Sequence, residues 1–168
     1  PAVVVAIIAI MTFRTQAILA SFPTDALNVR VIGHQWWWEF QYPDLGITTA
    51  NELHVPAGRP VKLTLESADV IHSFWIPRLA GKTDTIPGLT NQLWFRADRP
   101  GTYRGQCAEF CGTQHALMGL RVIVTSQSEF DAWVRAQRQP ATIPTSGASS
   151  GTPSSRRRRP ELPPSSAT

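Results

Sequence analysis

The stretch Cys107-Ala-Glu-Phe-Cys111-Gly-Thr-Gln-His115-Ala-Leu-Met118 contains both cysteines of the chain, one of its four histidines and one of its two methionines. Thiolate, imidazole and thioether are soft or borderline ligands, and together they favour copper over magnesium, calcium or manganese. The ligand-type residues are separated by only two or three others, so a loop around a metal could turn all four inward. Gly112 follows the second cysteine, where a tight bend would favour a residue that can take positive φ. We interpret the stretch as a metal-binding loop.

Strand patterns flank this loop on both sides. Residues 100–106 are typical of a turn followed by a strand, and residues 119–125 alternate apolar and polar side chains. A ligand loop between two strands predicts a mainly β protein, a small copper-binding barrel or sandwich. Two cysteines alone would leave a structural disulfide or half of a zinc site as alternatives.

The loop pattern Cys-x-Glu-x-Cys-x-x-x-His-x-x-Met resembles the copper-binding loop of the cytochrome c oxidase subunit II family, which holds the binuclear copper A centre. The family's second histidine lies in an Asp-Val-apolar-His-Ser motif, and this chain has Asp69-Val-Ile-His72-Ser73. Further family motifs match residues 33–38, Gly-His-Gln-Trp-Trp-Trp, and 81–88, Gly-Lys-Thr-Asp-Thr-Ile-Pro-Gly. The four motifs occur in the family's order, and the resemblance covers about residues 1–138.

The resemblance implies a cupredoxin-like Greek-key sandwich or barrel with two copper ions. Cys107 and Cys111 would both bridge the coppers, and the remaining ligands would be His72, His115, Met118 and the backbone carbonyl of Glu109. The side chain of Glu109 would bind magnesium at the interface with subunit I. His34 and His54 lie outside these motifs, and we expect neither to bind copper.

The resemblance also implies an electron-transfer function. Electrons from cytochrome c would enter at Trp36, with Gln35, Trp37 and Asp69 at the docking surface, and would pass to haem in subunit I for oxygen reduction. Asp84 would support the interface with subunit I and the other oxidase subunits. The expected location is the bacterial inner membrane, with the copper domain on the periplasmic side.

Other copper and non-copper proteins remain as alternatives. A mononuclear cupredoxin electron carrier would leave Cys107 without a role, and the quinol-oxidase relative of the family lacks the copper ligands that this chain has. Nitrous oxide reductase carries a similar loop but lacks the Gly-His-Gln-Trp motif and a membrane helix. A structural protein with a zinc site or disulfide would not require Met118.

The charge distribution argues against a nucleic-acid partner. The formal net charge is +4, but residues 25–138 contain eleven Lys or Arg and eleven Asp or Glu. The excess lies at Arg14 and at residues 156–159, so the body of the protein is neutral.

Four regions are predicted along the chain. Residues 1–20 begin with an apolar run of about a dozen residues, short of the ~20 that span a bilayer. A buried helix, a signal-peptide core or the end of a membrane helix would each fit this run. Because the family has a membrane helix before its copper domain, we expect residues 1–20 to be the C-terminal part of a transmembrane helix. The family's first membrane helix would then be missing. A connector at 21–26, the cupredoxin domain at 27–139 and a disordered Pro/Ser/Arg-rich tail at 140–168 follow.

Within the domain, apolar patterns predict the strands and one helix. Trp36, Trp38 and Phe40 would share one face of a continuous strand, and residues 70–75 would form a buried strand with His72 at its centre. Ser126-Gln-Ser-Glu129 is a capping box that predicts a short helix ending near residues 139–140.

Overall fold

The computed structural model describes residues 1–139, which form two α-helices, ten strands and one 3₁₀ turn. The expected tail at 140–168 lies outside the described residues. In chain order the elements are α1 (Ala2–Ala20), β1 (Leu27–His34), β2 (Trp37–Tyr42), β3 (Ile47–Ala50), β4 (Glu52–Pro56), β5 (Pro60–Ser67), β6 (His72–Trp75), β7 (Thr83–Thr85), β8 (Asn91–Arg96), β9 (Gly101–Cys107), the 3₁₀ turn (His115–Leu117), β10 (Gly119–Thr125) and α2 (Gln127–Gln137).

The strands form two five-stranded mixed sheets. The first has the order β3-β2-β1-β5-β8 and the second the order β4-β10-β9-β6-β7. The β1–β5 and β4–β10 pairs are parallel, and all other pairs are antiparallel. Alternating side chains of both sheets meet in one buried apolar cluster, as in β1, where Leu27, Val29 and Val31 are buried. The mainly β sandwich predicted from the sequence is confirmed.

The tryptophan-rich segment is not one continuous strand, which corrects the sequence prediction. β1 ends at His34, and β2 begins at Trp37, its partner in the antiparallel register. Gln35 and Trp36 form the turn between them. Because the chain reverses there, Trp36 does not continue the inward face of Trp38. Trp38 and Phe40 are buried in the core as predicted.

The strand that carries His72 is shorter than predicted. β6 begins at His72 itself, and the preceding Val70 and Ile71 are 37% and 45% exposed. The hydroxyl of Ser67 donates to the carbonyl of Val70, and the carboxylate of Asp69 accepts from the backbone N–H of Val70. These local hydrogen bonds replace strand pairing, so the apolar run before His72 is a loop.

The N-terminal helix is longer than its apolar run suggested. The run is interrupted at Arg14, but the helix continues through residues 15–20, which end in Ala-Ile-Leu-Ala. The resulting 19-residue helix is long and apolar enough to cross a membrane, and none of its residues is buried against the rest of the protein. At its end, the indole Nε1 of Trp94 donates to the carbonyl of Leu19 at 3.1 Å.

The C-terminal helix begins with the predicted capping box. The hydroxyl of Ser126 accepts from the backbone N–H of Glu129, and the carboxylate of Glu129 accepts from the N–H of Ser126 at 2.9 Å. Phe130 and Val134 are buried against the sandwich, while Trp133 is half-buried and stacks on His54. The helix ends at Gln137, slightly earlier than predicted.

Replacing Ser126 with alanine should lower the free energy of unfolding by about 1 kcal/mol, because an N-terminal N–H of α2 loses its acceptor. Guanidinium unfolding of the chain in detergent, followed by tryptophan fluorescence, measures this change. Ser126→Asp keeps an acceptor at the cap and should retain most of the stability. Equal stability of the alanine variant and the parent protein would show that the cap is energetically neutral.

Candidate metal centre

The predicted metal loop connects two strands that pair with each other. β9 ends at Cys107 and β10 begins at Gly119, with Gln106 opposite Gly119 in the antiparallel register. The backbone N–H of Cys107 donates to the carbonyl of Met118 at 2.9 Å. The sheet therefore closes the loop at its base and brings the first and last predicted ligands together.

The more distant histidine reaches the loop through the same sheet. β6 pairs with β9 so that Phe74 lies opposite Cys107, and His72 is two residues before Phe74. The imidazole Nδ1 of His72 lies 3.9 Å from the sulfur of Cys107. His72 is fully buried, so this nitrogen faces the interior of the site.

The two sulfurs form the centre of the cluster. Cys107 Sγ and Cys111 Sγ are 3.8 Å apart and not bonded to each other, and both thiols are buried. The donor atoms of His72, Cys107 and Cys111 all lie within 4.8 Å of one another.

Three further predicted donors surround these sulfurs. Nδ1 of His115 lies 3.6 Å and Sδ of Met118 3.7 Å from Cys111 Sγ, while the backbone carbonyl of Glu109 lies 3.2 Å from Cys107 Sγ. The structure therefore brings all six predicted copper ligands together, with one imidazole nitrogen beside each sulfur. The side chain of Glu109 is outside the cluster, since this residue is exposed.

The thiols have different proton affinities. Burial acts to raise the pKa of Cys107, but hydrogen bonds with His72 and with the backbone of Glu109 and Ser73 lower it to about 6. Burial and the neighbouring Cys107 thiolate raise the pKa of Cys111 to about 12. The pKa of Cys107 is thus lowered and that of Cys111 raised, and a metal bound by both sulfurs would displace any proton that they hold.

Asp69 orients His72, a role that the sequence interpretation missed. Its Oδ1 lies 2.8 Å from Nε2 of His72, and because a carboxylate can only accept, Nε2 carries the proton. In the neutral ring this leaves a lone pair on Nδ1, the nitrogen beside Cys107. Burial acts to lower the pKa of His72, but hydrogen bonds with Cys107 and Asp69 raise it overall. An aspartate three residues before a ligand-type histidine was the available signal.

We expect Asp69→Asn to weaken metal binding by about tenfold, because a carboxylate behind a ligating histidine fixes its tautomer and raises its basicity. Competition with a copper chelator measures this affinity. Asp44→Asn is the matched control, because Asp44 accepts a hydrogen bond from Asn28, far along the chain from the loop. If both variants retain the parent affinity, Asp69 does not support the metal ligand.

The remaining predicted site residues lie at different distances from the cluster. Nε1 of Trp36 donates to the carbonyl of Cys111 at 3.1 Å, and the side-chain amide of Gln35 donates to the same oxygen at 2.8 Å. Trp37 instead stacks on His34, with ring centroids 4.3 Å apart. Asp84 is exposed on β7, opposite Ser73 and outside the donor cluster.

The two other histidines, His34 and His54, lie outside the donor cluster. His34 is hydrogen-bonded to Glu39 at 3.0 Å, and His54 stacks on Trp133 with ring centroids 4.4 Å apart. Among the described residues, the grouped His and Cys donors are therefore those of the predicted set.

The donor chemistry fits copper. Two cysteines and two histidines could also hold zinc, whose protein ligands are Cys, His and carboxylates. The additional thioether of Met118 is fully buried beside Cys111. A thioether suits copper(I), and it is not among the usual protein ligands of zinc. Both cysteine sulfurs lie within the donor cluster. This argues against a site with a single cysteine ligand.

Known proteins resemble this chain in sequence and fold. Residues 45–126 match the family model described as cytochrome c oxidase subunit II, periplasmic domain. Cytochrome c oxidase subunit 2 of Alkalihalophilus pseudofirmus is 39% identical over 151 residues, which cover 86% of this chain and 44% of that protein. The chain spans about half the length of the curated relatives it matches.

Solved structures share the fold. The crystal structure of the periplasmic domain of subunit II of cytochrome oxidase of Bradyrhizobium japonicum is 33% identical, with a TM-score of 0.67, over 70% of this chain and 96% of that one. A second structure is the mixed-disulfide intermediate between a thioredoxin-like protein and subunit II of cytochrome c oxidase, at 32% identity and a TM-score of 0.63, over 70% of this chain and 94% of that one. These matches confirm the cupredoxin-like fold, and the chain belongs to the cytochrome c oxidase subunit II family.

Proposed function

We propose that this chain is the copper-containing electron-transfer subunit of a haem–copper terminal oxidase. It accepts electrons from cytochrome c and passes them to haem in subunit I, where oxygen is reduced to water. One observation carries the proposal: two sulfurs 3.8 Å apart each have an imidazole nitrogen beside them, and a thioether completes the set.

The proposed ligand set would hold two copper ions. Cys107 and Cys111 would be shared by both ions, and His72 and His115 would each bind one. Met118 lies beside Cys111 and the carbonyl of Glu109 beside Cys107, and, as the family resemblance implies, each would supply a further ligand to one of the two ions. When bound, such a copper pair would store one electron. The ligand set suits both oxidation states of copper, because thiolate and thioether favour copper(I) and imidazole also suits copper(II).

The chain's own residues would prepare the site for electron transfer. Asp69 keeps the proton of His72 on Nε2, which leaves Nδ1 available as a ligand. Burial of His72, Cys107, Cys111 and Met118 excludes water from most of the ligand set. Trp36 is half-buried, and its indole bonds directly to the carbonyl of Cys111, which supports its proposed role as the entry point of electrons.

The proposed docking surface for cytochrome c surrounds Trp36 and includes Gln35, Trp37 and Asp69. Asp69 is engaged by three hydrogen bonds, from His72, from Gln35 and from Val70. Because the body of the protein is also neutral, electrostatic steering of the donor would be modest and only weakly salt-dependent.

The proposed assembly is anchored in the bacterial inner membrane through α1, with the copper domain on the periplasmic side. The helix is 19 residues long and unburied, as expected of a membrane segment. The exposed Glu109 side chain would bind magnesium at the interface with subunit I, and the exposed Asp84 would support that interface. Other oxidase subunits would complete the complex.

The copper content and electron paramagnetic resonance spectrum of the reduced, copper-loaded and reoxidised chain in detergent test this proposal. Two coppers per chain, with one unpaired electron shared by both nuclei, are expected. One copper with a mononuclear spectrum would instead indicate a simple cupredoxin electron carrier. Failure to bind copper after full reduction of both thiols would overturn the proposed function.

A further inference from the structure

The turn between β1 and β2 bonds to the cysteine side of the metal centre. The side-chain amide of Gln35 donates to the carbonyl oxygen of Cys111 at 2.8 Å, and Trp36 Nε1 donates to the same oxygen at 3.1 Å. Both lone pairs of this carbonyl are therefore used by one turn, 75 and 76 residues away along the chain.

The same turn bonds to the histidine side. The backbone N–H of Gln35 donates to Oδ2 of Asp69 at 2.7 Å, and Oδ1 of Asp69 holds Nε2 of His72 at 2.8 Å. Gln35 thus makes two hydrogen bonds with different groups: its backbone orients the carboxylate behind one ligand, and its side chain holds the backbone of the other.

Close packing reinforces these bonds. A Cβ atom added at Gly112, which has φ +117°, would lie 3.1 Å from Nε2 of Gln35 and 3.2 Å from Cζ2 of Trp36. At Gly33, just before the turn, an added Cβ would lie 2.8 Å from Cδ2 of His72. The turn therefore packs on Gly112, and the end of β1 packs on His72, without space for a methyl group at either glycine.

We propose that Gln35 is a positioning residue of the metal centre, which fixes the Cys111 segment and His72 relative to each other through its side-chain and backbone amides. This inference deepens the proposed function and rests on it. It differs from the docking role that the family resemblance implies for Gln35, because positioning acts in the absence of any partner protein.

Substitutions at Gln35 separate the two roles. Gln35→Met keeps a side chain of similar length but removes the N–H donor, whereas Gln35→Lys keeps a donor that can reach the Cys111 carbonyl. Gln41→Met is the matched control, because Gln41 lies on the same hairpin and its amide bonds to Glu39 instead of the loop. The backbone bond to Asp69 is retained in all three variants.

Two measurements on the full chain in detergent, without a partner protein, follow the metal loop. In the reduced, metal-free chain, the rate of cysteine modification by a thiol reagent reports loop opening, and should rise about fivefold in Gln35→Met, as expected for the loss of one hydrogen bond. In the copper-loaded chain, the affinity for copper, measured by competition with a chelator, should fall about tenfold in Gln35→Met. Gln35→Lys and Gln41→Met should behave like the parent chain in both.

The outcomes distinguish failure of this inference from failure of the proposed function. Parent-like thiol reactivity and copper retention in Gln35→Met would overturn the positioning role, as would a lysine variant that behaves like the methionine variant. Copper binding by the parent chain tests the proposed function separately. If the parent chain binds no copper, the thiol measurement still tests whether Gln35 holds the loop.

Discussion

Replacing Cys107 with serine should abolish the proposed two-copper centre while the sandwich remains folded. Cys107 Sγ lies 3.9 Å from His72 Nδ1 and 3.2 Å from the Glu109 carbonyl, so three of the six proposed ligands are grouped around this sulfur. Cys111 remains beside His115 and Met118, which leaves at most a one-cysteine site. We therefore expect a loss of at least one copper per chain and of the spectrum in which one electron is shared by two nuclei.

The same substitution discriminates between the two copper proteins that the loop could represent. In a mononuclear cupredoxin built on Cys111, Cys107 would not be a ligand, and copper content and spectrum would be unchanged. Gln114→Ala is a suitable control, because Gln114 is exposed in the same loop and is not a predicted ligand. A Cys107→Ser variant with the parent chain's copper content and spectrum would show that the binuclear proposal is wrong.

The ligand loop and its flanking strands were predictable because their signals are local. The alternation of residues 119–125 gave the bounds of β10 correctly, and the capping box gave the start of α2. The buried faces of β1, β4 and β5 follow the same two-residue period. The ligand types were visible because the cysteines, His115 and Met118 lie within one short stretch.

The supporting contacts were not predictable because they join residues that are far apart in the chain. Gln35 and Asp69 are 34 residues apart, and Gln35 and Cys111 are 76 apart. Apolar periodicity also misplaced Trp36, because the pairing of His34 with Trp37 forces a turn that the pattern does not encode. Val70 and Ile71 extended an apolar run, but hydrogen bonds of Ser67 and Asp69 hold this segment as a loop.

Truncation of Trp36, the proposed entry point of electrons, should have the largest effect on reduction of the proposed copper centre. We expect Trp36→Ala to lower the second-order rate of copper reduction by cytochrome c at least about 30-fold, the factor that corresponds to loss of a central tryptophan from an interface. Trp36→Phe keeps an aromatic contact but loses the N–H bond to the Cys111 carbonyl, so its rate should be intermediate. Stopped-flow mixing of the copper-loaded chain with reduced cytochrome c measures both.

A matched tryptophan on another part of the molecule controls for general effects. Trp94 also donates its indole N–H to a backbone carbonyl at 3.1 Å, but that carbonyl belongs to Leu19 at the end of α1. Trp94→Phe should therefore leave the reduction rate unchanged. The spectrum of each variant before mixing distinguishes an electron-entry role of Trp36 from a positioning role. A slow Trp36→Ala variant with the parent spectrum has lost the entry point. An altered spectrum would mean that Trp36, like Gln35, acts by holding the Cys111 carbonyl. A parent-like rate in Trp36→Ala would exclude Trp36 as the entry point, because electrons would then enter without its indole.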